Sequence, residues 1–256
     1  MTPRISKLPL ALSILILFSS TFAMPTAAQT AVTDGVINES VWDSWVKTFT
    51  TTIANRYVFA DTGFLAWDGA VSQNDLSASK GSWTVGAWIS TWLSGSGTYG
   101  KRGGGDEIDA KVTYAHQFES HLGPIAFEAS AAWWAVDDFS HLNDDTVQVY
   151  AKFGLPHTFD RFTITPAVRF TKWIGIGKAP DTSFVQASID AAYAATDSWS
   201  VSGQIGYTRD LTNQISTRYA FGSIAYQLNE RDSISLSGAF GERTKPGVNI
   251  SFSRSW

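Results

Sequence analysis

The chain contains no cysteine. A disulfide framework, a thiol nucleophile and a thiolate metal site are therefore all excluded. It also lacks any long apolar run beyond its first residues, and its mean hydropathy is −0.06. A spanning helix needs roughly 20 consecutive apolar residues, so a helical membrane protein is excluded as well. Clustered basic residues are missing too. Without Arg4 and Lys7 of the leader, 17 of the 19 Lys and Arg remain against 23 Asp and Glu. Such a balance excludes a nucleic-acid partner, whose phosphates need grouped Lys and Arg. No nicotinamide, flavin, haem or zinc motif is present, and neither a cofactor nor a metal is expected.

The first residues read as an export signal. Arg4 and Lys7 form a basic head, Leu8 to Phe18 an apolar run, and Ala23 to Ala28 a small-residue cleavage region. Residues 1–28 are read as a signal peptide, 29–46 as a periplasmic N-terminal segment and 47–256 as one folded unit.

What is abundant is aromatic: 14% of the chain, with 11 Trp, 8 Tyr and 16 Phe, beside 21 Gly. Rings in such number suit the girdles that a transmembrane barrel sets at the two lipid–water boundaries. Alternation with period two points the same way. Ile108, Ala110, Val112 and Tyr114 alternate with Asp109, Lys111 and Thr113. Ile125, Phe127, Ala129 and Ala131 oppose Glu128 and Ser130, while Val147, Val149, Ala151 and Phe153 oppose Gln148, Tyr150 and Lys152. Phe162, Ile164, Val168 and Phe170 oppose Arg169. Val185, Ile189, Ala191 and Tyr193 oppose Gln186, Ser188 and Asp190.

Between Ser216 and Leu228 the alternation breaks, since Tyr219 and Phe221 share one face and Ile224 and Tyr226 the other; a bulge near Gly222 is expected to reconcile them. Weaker segments near 47–58 and 69–79 bring the total to about twelve strands. Short links at Lys80-Gly81, 121–123, 196–198 and 229–232 alternate with longer ones near 59–68, 95–106, 138–145 and 175–183. Short periplasmic turns and long external loops produce that asymmetry.

Faces carrying Asp109, Lys111, Glu128, Lys152, Arg169 and Asp190 cannot pack into a dry sandwich core, but they can stay ionised in a wet lumen. The expected fold is an all-β, antiparallel, up-and-down transmembrane barrel in the outer membrane, and those six residues are the candidate pore lining, with Arg56 as a further candidate. The partners expected are outer-membrane lipid and lipopolysaccharide, small polar solutes, and the barrel assembly machinery, which would read the alternating last strand ending in Trp256.

Part of the chain resembles the TorF family of porins, small outer-membrane barrels with a transport role. The similarity lies in Asn55-Arg56-Tyr57-Val58-Phe59, Asp68-Gly69-Ala70-Val71-Ser72-Gln73, Trp83 to Trp88, and Gly105-Asp106-Glu107-Ile108-Asp109. Ala60-Asp61 stands where that family has Arg-Gly at its first turn. The resemblance covers less than a third of the chain and implies a porin.

Candidates for catalysis are sparse. His116 lies on an apolar strand face, and His121 and His157 fall in predicted periplasmic turns. His141 sits in the acidic loop Asp137 to Asp145, which has the residue types of a rim protease but an unreadable arrangement. A solvated acidic loop is the simpler reading. Lys101 to Gly105 lacks the spacing of a phosphate-binding loop. No catalytic residue is expected. The leading function is a passive channel for small hydrophilic solutes or ions. The alternatives are a closed structural or adhesive barrel acting through its external loops, and a rim-located hydrolase.

Overall fold

In the computed structural model, residues 44–58, 65–97, 106–121, 123–136, 145–177, 179–242 and 244–256 are described. The leader and most of the acidic loop with His141 lie outside them. The chain forms β1 (Val46–Ala54), β2 (Tyr57–Val58), β3 (Leu65–Asp68), β4 (Val71–Lys80), β5 (Trp83–Trp92), β6 (Ser96–Gly97), β7 (Glu107–Ser120) and β8 (Gly123–Val136). It continues through β9 (Thr146–Gly154), β10 (His157–Phe159), β11 (Phe162–Gly175), β12 (Thr182–Ala194), β13 (Trp199–Asp210), β14 (Ser216–Gln227), β15 (Asp232–Gly241) and β16 (Thr244–Ser255).

Twelve of these strands pair antiparallel with their neighbours in one closed barrel. Closure comes from β1 against β16, in register from Thr48 opposite Ser255 to Ala54 opposite Asn249. The short β10 only pairs with β11, which also pairs with β9. Both Val46 and Trp256 lie at one end of the barrel, here the proximal end, where Lys47 and Trp256 exchange two backbone hydrogen bonds of 3.0 and 3.1 Å. Inside the seam the hydroxyls pair as Thr48–Ser255, Thr50–Ser253 and Thr52–Ser251 at 3.0, 2.8 and 2.7 Å.

The barrel is inside out relative to a soluble domain. Ile205 on the outer face is 60% exposed, whereas Arg169 and Lys152 on the inner face are each 3% exposed. A continuous apolar outside of this kind needs a nonaqueous partner. Around the proximal end the outer face carries a run of contacting aromatics, Trp83 to Tyr114 at 5.0 Å, Tyr114 to Phe127 at 6.4 Å and Phe127 to Phe153 at 5.1 Å, and a separate pair, Trp199 to Tyr226 at 4.7 Å.

Three expectations require correction. No bulge occurs near Gly222: β13 and β14 pair without a shift from Trp199–Tyr226 to Arg209–Ser216, and Gly222 sits opposite Gly203. Tyr219 and Phe221 instead share the inner face with Thr217 and Ser223, so the aromatics there face the lumen. A register shift does occur between Ala239 and Gly241. The distal link from β15 to β16 is short, with Gly241 paired to Thr244. His157 lies in β10 rather than in a plain turn. Asp160, with φ of 53°, closes the hairpin from Phe159 to Phe162, a left-handed position that Asp tolerates.

At the distal end β2, β3 and β6 form a second small sheet. Its Tyr57, Ala66 and Trp67 pack with Ala54 and Val71 in a small apolar core against Trp88. The indole of Trp67 donates to the Ser94 carbonyl at 2.8 Å. Gly69 and Gly95 allow this fold-over, because a Cβ on Gly69 would lie 1.9 Å from the Ser94 carbonyl oxygen. Arg56, considered for the lumen, lies in the distal mouth instead. It donates to Asp68 at 2.7 Å and to the Pro246 carbonyl at 2.7 Å, and Lys245 binds the other Asp68 oxygen at 2.9 Å. Those two cations, Lys245 first, hold the Asp68 carboxyl below the ordinary carboxylate range.

Candidate functional site in the barrel lumen

Alternation turns every second side chain of a barrel strand inward. All six sequence-predicted residues obey it, since each lies opposite another inward residue in register. They fall into two groups rather than one ring.

The larger group spans β8 to β13. Glu128, Lys152 and Arg169 are neighbours in one cross-strand row. Tyr150 donates its hydroxyl to Glu128, and the Arg169 guanidinium lies 3.7 Å from the centre of the Tyr150 ring, a cation–π contact. Lys152 reaches across β11 to donate to Asp190 at 3.1 Å, and Gln204 donates to the other Asp190 oxygen. Each long polar side chain thus has partners, as burial of charge requires.

The second group spans β4, β5 and β7. Lys111 donates to Asp75 at 2.6 Å, although β5 lies between their strands. Gly86 stands at the crossing point: a Cβ there would meet the Lys111 Cε at 3.1 Å. The same device recurs where Gln186 on β12 donates to Tyr219 on β14. The tyrosine lies flat over Gly206 of the intervening strand, with its oxygen 2.1 Å from where a Cβ would sit. Asp109 lies in the second group beside Trp88 of β5 and Trp134 of β8.

Asp75, Glu107, Trp88, Trp134, Gln186, Gln204 and Tyr219 thus join the six predicted residues. Asp75 was legible in principle, since it alternates with Leu76 in the weaker segment near 69–79. Across from the charges, β15, β16 and β1 present mainly small hydroxyl residues, among them Ser235, Ser253 and Thr50. At the proximal mouth, Gln117, Pro124, Thr158 and Thr163 border an open recess of about 400 Å³. Among the described residues no group of His, Asp and Glu has the arrangement of a metal site.

A closed antiparallel barrel with a charged interior and an apolar exterior defines the fold class of outer-membrane β-barrels. Among solved structures the chain is similar to the KdgM porin, with a TM-score of 0.57 and 8% identity over 82% of this chain and 99% of that one. An outer-membrane channel from Pseudomonas putida F1 gives 0.53 and 10% over 83% and 95%. The NanC porin gives 0.52 and 9% over 80% and 98%. At such identities the likeness is one of fold. No family model matches the chain, and no curated protein matches it in sequence.

Proposed function

We propose that the protein is a passive outer-membrane channel for small hydrophilic solutes or ions, lined by Asp109, Lys111, Glu128, Lys152, Arg169 and Asp190. One observation carries this reading: the long charged side chains lie paired along one side of a closed twelve-strand barrel, across from a wall of mainly small hydroxyls. Eight strands are filled by their own side chains and 16 to 18 leave a wide channel, so twelve favour a narrow one. The porin fold of the similar structures and the TorF resemblance support the same reading. The proximal end faces the periplasm in this orientation. Among the mid-lumen groups Asp75, Glu107, Asp109, Glu128 and Asp190 outnumber Lys111, Lys152 and Arg169, which favours cations over anions.

The test is single-channel recording of the detergent-folded protein in a planar bilayer under a salt gradient. Discrete steps with a cation-selective reversal potential are expected, and Lys152→Ala with Arg169→Ala should raise that selectivity. An open pore indifferent to both substitutions would sink the lining assignment. The tight burial of Glu128, Lys152 and Arg169 favours a second reading, a closed structural barrel acting through its distal loops. A silent bilayer with protein of folded, heat-modifiable gel mobility would select it.

A further inference from the structure

One inner-face row has a composition that neither ion pairing nor lumen wetting requires. Register places Asp75 opposite Trp88, Trp88 opposite Asp109, and Asp109 opposite Trp134, on four successive barrel strands. The arc continues to Trp173, whose ring centre lies 5.3 Å from that of Trp134. Carboxylates and indoles therefore alternate around the distal half of the lumen, just beneath the small sheet that rests Tyr57 on Trp88 at 5.5 Å. Trp88, Trp134 and Trp173 are half-buried, so part of each indole remains open. Lys111 is committed to Asp75 by its 2.6 Å bond. The Asp109 carboxyl group shares a hydrogen bond with Glu107, and its Oδ1 is buried without a hydrogen-bond partner among the described residues. A buried carboxylate oxygen in that condition costs free energy until a donor or cation meets it.

An indole face attracts a positive charge through its ring quadrupole, and a ligand cation is held best where several faces surround it. An adjacent carboxylate adds Coulombic attraction that a narrow, poorly hydrated lumen screens weakly. Inorganic cations lose hydration to gain little from indoles, whereas an alkylammonium group already presents an apolar, weakly hydrated surface. We infer that the arc of Trp88, Asp109, Trp134 and Trp173 is a recognition subsite for organic cations carrying a substituted ammonium group. This inference rests on the channel reading and assigns the solute class of that same lumen.

The experiment uses the full folded barrel in a planar bilayer carrying a potassium current, with choline or glucose added on one side. Choline should reduce the current at concentrations where glucose leaves it unchanged. Trp88→Leu, Trp134→Leu and Asp109→Asn should each raise the half-blocking choline concentration about tenfold, and Ile205→Val, on the outer face of the barrel, should leave it unchanged. Two independent Trp variants keep the test decisive if one fails to reach folded gel mobility. Equal block by glucose would overturn the cationic class. Conductance without choline block, or block indifferent to the three substitutions, would overturn the subsite and leave the channel standing. A silent bilayer would overturn the channel reading instead. Calorimetric titration of choline into the detergent-folded protein would then decide the subsite, supported by heat that Trp134→Leu abolishes and overturned by no heat.

Discussion

Adding one methyl group at Gly206 should disturb two strands it does not belong to. The Tyr219 ring rests on that glycine, with Oη, Cζ and Cε1 at 2.1, 2.2 and 2.6 Å from an added Cβ. Tyr219 is buried, so Gly206→Ala must push the ring aside and break its bond to Gln186. Loss of that bond costs about 1 kcal/mol, and overpacking adds about 1–3 kcal/mol. Replacing a strand glycine by alanine returns about 0.5–1 kcal/mol through the unfolded chain. The net expectation is destabilisation by about 1–3 kcal/mol.

In a Tyr219→Ala background the obstruction is gone, and the same Gly206→Ala change should stabilise by about 0.5–1 kcal/mol. The double-mutant cycle therefore has a coupling energy of about 2–4 kcal/mol with a reversal of sign. Urea titration of the four proteins in phospholipid vesicles, followed by tryptophan fluorescence, measures it. An equal cost in both backgrounds would show that the tyrosine does not occupy the space over Gly206.

The Asp68 clasp gives a pH prediction. Its carboxyl is lowered in the folded protein, so the clasp's contribution is complete above the ordinary carboxylate range and is lost as pH falls through the lowered value. The protection factors of the Val248 and Asn55 amides, exchange corrected for the intrinsic rate at each pH, should stay constant from neutral pH to about 5 and fall only on stronger acidification; in Asp68→Asn the acid step should vanish, and a step near neutrality would contradict the assignment. In the closing seam, Thr50→Val and Thr52→Val should each lower stability by about 0.5–1.5 kcal/mol, because each strands a serine hydroxyl on β16. Unfolding midpoints in urea measure that loss, and unchanged midpoints would remove the hydroxyl ladder from the account of closure.

Strand identity was legible because a lipid-facing residue and a lumen-facing residue have opposite chemistry and must alternate. Asp109, Glu128 and Arg169 could each be assigned to the inside from its immediate neighbours alone. Tyr219 and Phe221 could not, since an aromatic ring is at home on either face of a barrel. What makes room for Tyr219 on the inside is a vacancy on another strand, at Gly206, and no local window of sequence contains both. Arg56 failed for a related reason: polar character said it avoids lipid, but its destination depended on Asp68 and on Lys245, which lies 177 residues further along. The separation of the charges into two groups likewise depends on which strands each side chain can reach across.

Those reaches have a mechanical meaning. Backbone hydrogen bonds between adjacent strands fix how far one slides past the next, but they yield to bending between strands. On a concave inner surface the gap between alternate strands widens as the wall flattens. Lys111 to Asp75, Lys152 to Asp190 and Gln186 to Tyr219 each span such a gap, and they act as tie-rods that hold the curvature from β4 round to β14. Around β15, β16 and β1 the hydroxyl bonds run only between adjacent strands. Flattening of the wall therefore meets the fewest cross-strand ties in that smooth quarter, opposite the charged wall.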